Sequence, residues 1–207
     1  MRTNEIRKMI IESIDHETRT NYLASLVNNY LLINGRNSTS EAVTEYVAFV
    51  KDYLGLGPDL LDKIEIAAST TPIKNNVLNA LAIIENYYFL PNDLMPDNLG
   101  MYGLMDDSYL ALTTIQRIST DYQSKNGKPL IDIDLSDPNK IIRVLLGEPF
   151  ATILEMMINA MLNMPAISNL FNPSFTWPNM NTINISEDYR IKEQVQRQMG
   201  MLGIVKI

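Results

Sequence analysis

Apolar residues recur every three or four positions along most of the chain, which is the pattern of helices that bury one face. In the N-terminal part three groups carry this spacing: Ile6, Ile10 and Ile14; Leu23, Val27 and Leu31; and Val43, Val47, Val50 and Leu54. The first two groups predict one long helix, or two helices that meet between Asp15 and Thr20. Asn34-Gly35 is expected to end this segment, because glycine follows helix ends without steric cost.

Residues typical of helix starts indicate three further helices. Ser38 and Glu41 have the spacing of a capping box, in which each side chain bonds the other residue's backbone N–H. Pro58 follows Gly55-Leu56-Gly57 and suits the first turn of a new helix, because proline has no N–H that needs a partner. Thr71-Pro72 repeats this signal. The expected helices cover residues 38–54, 58–68 and 73–88.

The second half of the chain predicts helices separated by less regular stretches. The expected helices run from Asp106 or Asp107 to Tyr122, from Asp137 to Leu146, from Pro149 to Met164 and from Ser186 to Met199. Residues 130–135 alternate apolar residues with aspartates and suit a short strand or an extended linker. Residues 165–185 are expected to form a loop, and residues 203–207 a short terminal strand.

These elements predict a mainly α fold, a multi-helix bundle with at most short strands. A single domain is expected over residues 1–207, with a helical core over 1–123 and a C-terminal helical subregion over 124–207. At its centre, a loop dense in proline and aspartate joins two helices, which predicts a helix–loop–helix hairpin over about residues 75–118.

The order of residues in this hairpin resembles a known family. The positions that carry the pattern are Tyr87, Pro91, Asp93, Leu94, Pro96, Asp97, Gly103, Asp106 and Asp107. They resemble the YkvA-like domain of unknown function 1232, although Leu90 stands where that family often has a small polar residue. The resemblance implies a helix–loop–helix hairpin and no activity, since none is established for the family.

Two roles are open for the hairpin aspartates. Asp93 and Asp97 are suited to accept backbone N–H groups within the loop, and Asp106 or Asp107 to cap the following helix. The alternative is a divalent metal site, because four carboxylates that converge would supply the hard oxygen ligands of Mg²⁺ or Ca²⁺. We favour the architectural role and expect no metal, since Pro and Asp are the residues that tight turns use.

Composition excludes several kinds of site. The chain has no Cys and a single His, His16, so disulfides, thiolate catalysis and multi-His metal sites are excluded. No Gly-x-Ser-x-Gly elbow accompanies His16, which argues against a serine hydrolase. Asp132 and Asp134 begin like a calcium loop, but Asp137 stands where that loop needs glycine. We expect no catalytic residue and no cofactor.

Charge bears on the class of partner. The net charge of −7, from 17 basic and 24 acidic residues, argues against a nucleic-acid interface, which needs clustered Lys and Arg. A winged-helix-like end carrying Arg190, Lys192 and Arg197 stays an alternative. Charged residues and Pro149 interrupt the apolar stretch 141–164, so no membrane span is expected. The first residues lack the apolar core of a signal peptide, which predicts a cytoplasmic location.

Residues 149–178 are the predicted partner-binding region. Methionines and aromatic residues are enriched there, and both are common at the centres of protein interfaces. The candidate contact residues are Met156, Met157, Met161, Phe171, Phe175 and Trp177. The alternative is that Trp177 and the methionines fill the core of the domain itself.

The sequence therefore favours a non-enzymatic protein–protein interaction module. Its size and acidity suit a small accessory or immunity-type subunit of a bacterial complex, and assembly of several copies of the chain is compatible with the same features. The competing classes are a metal-dependent hydrolase that uses the hairpin aspartates and a winged-helix-like protein associated with nucleic acid.

Overall fold

Helices follow the apolar periodicity over most of the chain. The computed structural model describes residues 1–90, 94–185, 189 and 191–202, and only the backbone of Lys192. Within these residues the helices are α1 (Thr3–Thr20), α2 (Tyr22–Ile33), α3 (Ser40–Ala68), α4 (Lys74–Tyr87), α5 (Met105–Asn126), α6 (Ser136–Leu146), α7 (Phe150–Leu162), α8 (Pro165–Phe171) and α9 (Ile191–Leu202), with a 3-10 turn at Asp97–Leu99. The predicted mainly α, multi-helix fold is confirmed.

Helix α3 is the central element, because α1, α2, α4, α5 and α9 all pack against it. Its buried side chains include Tyr46, Phe49, Tyr53 and Leu61, which are inaccessible to solvent. The predicted break at Pro58 is wrong, since α3 continues through this residue. Gly57 lies in the helix interior, where a Cβ would collide with the hydroxyl of Tyr88. This glycine therefore allows close packing and does not end the helix.

Replacing Gly57 with alanine is expected to lower the free energy of unfolding by about 1–3 kcal/mol, because the added methyl overpacks a buried contact. Gly200 provides the matched control, since a Cβ at this position of α9 would meet no described atom within 4 Å. Gly200→Ala is therefore expected to raise stability by about 1 kcal/mol through helix propensity alone. Urea unfolding measures both, and a gain of stability in both variants would contradict the close approach of Tyr88 to α3.

Helices α1 and α2 are separate and meet at Asn21, which has a φ of 51°. The buried carboxylate of Glu17 accepts hydrogen bonds from the backbone N–H groups of Leu23 at 2.8 Å and Ala24 at 3.0 Å. These two groups belong to the first turn of α2, where no intrahelical acceptor exists. The last turn of one helix thus caps the next, a contact that the apolar pattern alone does not reveal.

The cap of α3 also differs from the prediction. Thr39, not Ser38, accepts the hydrogen bond from the backbone N–H of Ala42, while the hydroxyl of Ser38 donates to Asn28 of α2. The capping motif therefore lies one residue later in the chain than the Ser38–Glu41 spacing indicates.

The C-terminal third returns to the N-terminal helices. Residues 165–185 are not wholly a loop, because they begin with α8, and a single parallel bridge joins Ile131 to Ile183. Asp132 accepts the backbone N–H of Ile185 at 2.8 Å, which gives this aspartate a structural role. Helix α9 then packs against α3 and α6. Of the short strand or extended linker expected over 130–135, the structure forms no named strand within these residues and shows a bridge at Ile131. Residues 203–207 and Ser186 lie outside the described residues.

Candidate functional site

The hairpin residues that the sequence singled out surround the end of α4 and the start of α5. Tyr87 is buried in the last turn of α4, and Pro96 precedes the 3-10 turn. A Cβ at Gly103 would collide with the backbone carbonyl oxygen of Pro96, so the two ends of this loop are in direct contact. Pro91 and Asp93 lie outside the described residues. The loop is compact where the structure describes it.

The aspartates differ in burial and position. Asp106 and Asp107 are fully buried, whereas Asp97 is exposed at the first position of the 3-10 turn. Helix α5 begins at Met105, so the prediction that Asp106 or Asp107 is its cap is wrong; both lie within its first turn. Negative charge there is favoured by the helix dipole, and Asp106 Oδ2 also accepts the backbone N–H of Met95 at 3.2 Å.

The part of the chain that the structure describes contains no ligand set for the alternative of a divalent metal site. No group of three or more His, Asp or Glu side chains is placed there to hold an ion. His16 is half-buried and packs against Gly100 of the hairpin loop. The φ of 67° at Gly100 suits glycine, and the missing side chain leaves room for the imidazole. Helix α1 therefore supports the loop from one side.

An apolar groove of about 430 Å³ lies between α4 and α7. Helix α4 and the residues after it contribute Ile83, Asn86, Tyr87 and Leu90; α7 and the residue before α8 contribute Met157, Ala160, Met161 and Met164; Leu110 of α5 completes the lining. None of these lining residues is charged. The groove brings together the hairpin and the Met-rich helix, which are about 70 positions apart in the chain.

Exposed apolar side chains extend this groove into a larger surface. Leu90 and Met164 are each 45% exposed, and Met156 is 66% exposed. Along α7 and the two residues after it, one stripe alternates three- and four-residue spacing: Phe150, Ile153, Met157, Ala160 and Met164. Met161 is buried and contacts Thr114 of α5. Of the three methionines predicted to bind a partner, Met156 and Met157 are therefore accessible and Met161 anchors the groove floor.

The aromatic residues of the predicted partner-binding region pack within the chain and are not exposed as predicted. Trp177 is only 5% exposed, and its indole N–H donates to a carboxylate oxygen of Asp121 at 3.0 Å. Its ring packs edge-on against Tyr122 and Phe175, with centroids 5.4 and 5.3 Å away. Phe171 and Phe175 are half-buried and pack against the core. Trp177 belongs to the core of this domain, because it is buried and both its N–H and its ring contact residues of the same chain.

The chain matches no protein-family model, no curated protein and no solved structure. The likeness of residues 75–118 to the YkvA-like family stays a prediction. Within the described residues, no individual helix combines the length and hydropathy that a bilayer crossing requires; α7 and α8, which meet at 80°, pass such a test only as a bent pair, on length and composition.

Proposed function

We propose that this protein is a non-enzymatic interaction module that binds an apolar face of a partner protein in the groove between α4 and α7. The observation that carries the proposal is the groove itself, an apolar surface whose described lining residues are uncharged and include the exposed Leu90 and Met164. Exposed apolar patches of this kind mark interaction sites, since water contact with them is unfavourable. Methionine side chains suit such a site because they adapt to different partner shapes.

The occupant that fits this groove is an amphipathic helix. The stripe on α7 alternates three- and four-residue spacing, which is the pattern of surfaces that pair with another helix. Helix α7 has 13 residues, so it is about 20 Å long and matches roughly four turns of a partner. Apolar side chains at helical spacing on the partner would enter between the two walls of the groove.

This proposal retains the setting expected from the sequence. The module acts as a small accessory or immunity-type subunit of a bacterial complex, in the cytoplasm. The net charge of −7 opposes self-association through acidic faces, whereas the described lining residues of the groove are uncharged and leave this face open to a neutral apolar partner.

A photo-crosslinking amino acid placed at Met164 tests the site in cells of the source organism. Ile66 of α3 is the matched control, because it is a 70% exposed apolar residue that does not line the groove. We expect one dominant adduct from position 164 that is missing from position 66. Mass spectrometry identifies the partner, and sedimentation of the purified chain establishes whether that partner is a second copy.

With the purified partner, the double variant Leu90→Glu, Met164→Glu is expected to weaken binding about 100-fold or more, because two carboxylates would be buried in an apolar contact. The control Ile11→Glu, Ile66→Glu introduces the same charge at two exposed apolar residues elsewhere and should leave the dissociation constant unchanged. Calorimetric titration measures both. Equal loss of affinity in the two variants, or unchanged affinity in the groove variant, would refute the proposed site.

A further inference from the structure

A second, polar pocket of about 200 Å³ lies between α3 and α9 and shares no lining residue with the apolar groove. Its lining residues are Glu45, Ala48, Glu193, Gln194, Arg197 and Gln198. The hydroxyl of Tyr46 donates to the backbone carbonyl oxygen of Gln198 at 2.9 Å and holds this part of α9 against α3. The pocket is therefore built on two packed helices and not on a loop.

Three side-chain oxygens of residues that line this pocket are buried and accept no hydrogen bond from the described part of the chain: Glu45 Oε2, Gln194 Oε1 and Gln198 Oε1. Gln198 is the most buried of these residues, with only 1% of its surface exposed. An acceptor removed from water without a donor is unfavourable, so such atoms in a folded protein call for a partner outside the chain.

Neighbouring contacts account for two of these oxygens, those of Gln194 and Glu45. The side-chain amide of Gln194 donates to Asp52 at 3.0 Å, which leaves the carbonyl oxygen of that amide for the pocket. Arg197 donates to the other carboxylate oxygen of Glu45. Gln194 and Gln198 are four residues apart on α9 and therefore project from the same helix face.

We propose that this pocket binds a primary ammonium group. Such a group has three N–H donors and no acceptor, which matches three oxygen acceptors in number and kind. Among the lining residues, Glu45 and Glu193 are acidic and Arg197 is basic, and Asp52 adds a further carboxylate next to Gln194, so the local charge favours a cation. The ammonium belongs to a small primary amine or to a lysine side chain of a protein partner.

Arg197 is the residue that controls access to this site. Its side chain is 64% exposed and already contacts Glu45, so it competes with the incoming cation for the same carboxylate. The three unpartnered oxygens are buried, and the ammonium reaches them when the long Arg197 side chain moves outward. Arg197→Met removes the competing charge and is therefore expected to strengthen amine binding.

The test compares the melting temperature in n-butylammonium chloride and in tetramethylammonium chloride at equal ionic strength. Both cations carry one charge, but only butylammonium has N–H donors, so only it should stabilise the protein. At ten times its dissociation constant the expected rise is about 3–5 °C. An equal response to the two cations overturns the proposal, because the effect would then be ionic screening.

Two variants separate the site from the stability of α9. Gln198→Met removes the buried acceptor, so it is expected to abolish the butylammonium response while the melting temperature without amine stays at or above that of the wild type. Glu45→Gln should also abolish the response. If Gln198→Met lowers the melting temperature and the wild type does not respond, Gln198 bonds Glu45 directly through a rotated amide and the proposal is wrong.

The source of the ammonium is distinguished by titrating an acetylated, amidated lysine beside n-butylammonium. A stronger response to the lysine compound assigns the site to a partner protein, and an equal response assigns it to free amines. Arg197→Met provides the independent check, since a weakened response in this variant contradicts the competition with Glu45 on which the proposal rests.

Discussion

Trp177→Ala is expected to destabilise the isolated protein by about 3–5 kcal/mol, a large part of the total stability of a domain this size. The indole is buried, packs edge-on against Tyr122 and Phe175, and donates its N–H to Asp121. Truncation removes all of these contacts and leaves a cavity beside Ile118 and Met180, which line an existing apolar cavity next to Trp177. Chemical unfolding monitored by circular dichroism measures the loss.

The control for Trp177→Ala is Met156→Ala, because Met156 is mostly exposed on α7. This variant is expected to change stability by less than about 0.5 kcal/mol. Trp177→Phe should fall between the two, since it keeps one aromatic ring against Tyr122 but loses part of the buried volume and the hydrogen bond to Asp121. A stable Trp177→Ala variant with quenchable, solvent-exposed tryptophan fluorescence in the wild type would show that the indole is not core.

The second large effect is expected in alkali, where the stability of the protein should fall steeply above about pH 10. Burial raises the pKa of Tyr53 and Tyr88 well above the usual range of tyrosine, and burial also raises the pKa of Tyr46. Their hydroxyl groups donate within the fold, for example from Tyr53 to Asn139 at 2.7 Å. The folded protein therefore holds these protons more tightly than the unfolded chain does.

The direction of the pH effect follows from proton linkage. Below about pH 10 these tyrosines are protonated in both states, so their contribution is fully present. Above it the unfolded chain releases protons that the folded state keeps, and each tyrosine lowers the free energy of unfolding by about 1.4 kcal/mol per pH unit. The three tyrosines together predict a loss of about 4 kcal/mol at pH 11.

Urea unfolding at several pH values between 8 and 11 measures this loss, and absorbance at 295 nm reports tyrosine ionisation in each state. Tyr53→Phe is the informative variant, because it removes one of the buried hydroxyl groups whose pKa is raised. It should cost some stability at pH 8, where Asn139 loses its donor, yet reduce the alkaline slope by about 1.4 kcal/mol per pH unit. An unchanged slope in this variant would show that Tyr53 does not hold its proton in the folded protein.

The helices were predictable because amphipathic spacing is a local property. The prediction of a break in α3 was wrong because Gly57 and Pro58 are compatible both with a helix end and with a helix interior. The contact that decides between them is with Tyr88, 31 positions after Gly57. A glycine needed for close packing has the same local signature as a glycine that ends a helix. The cap that Glu17 provides for α2 was also invisible, because it depends on how the chain turns at Asn21.

The candidate site was only partly predictable for a related reason. Methionine and aromatic residues are common both in cores and at interfaces, so composition placed Met156 and Trp177 in one region although the structure exposes the first and buries the second. The groove itself forms between Leu90 and Met164, residues far apart in the chain. Only the packing of α4 beside α7 and α8 brings these two segments together.

The return of α9 to α3 has a consequence for biosynthesis. Tyr46, in the second turn of α3, is completely covered in the folded chain, where its hydroxyl donates to the carbonyl oxygen of Gln198, 152 residues later. During translation this face of α3 stays uncovered until residues 191–202 have left the ribosome. Until then the nascent chain exposes an apolar surface on α3. Chaperones bind exposed apolar surfaces of this kind, and the same surfaces promote aggregation. Truncated products that lack α9 would keep this apolar surface exposed and are therefore expected to be degraded.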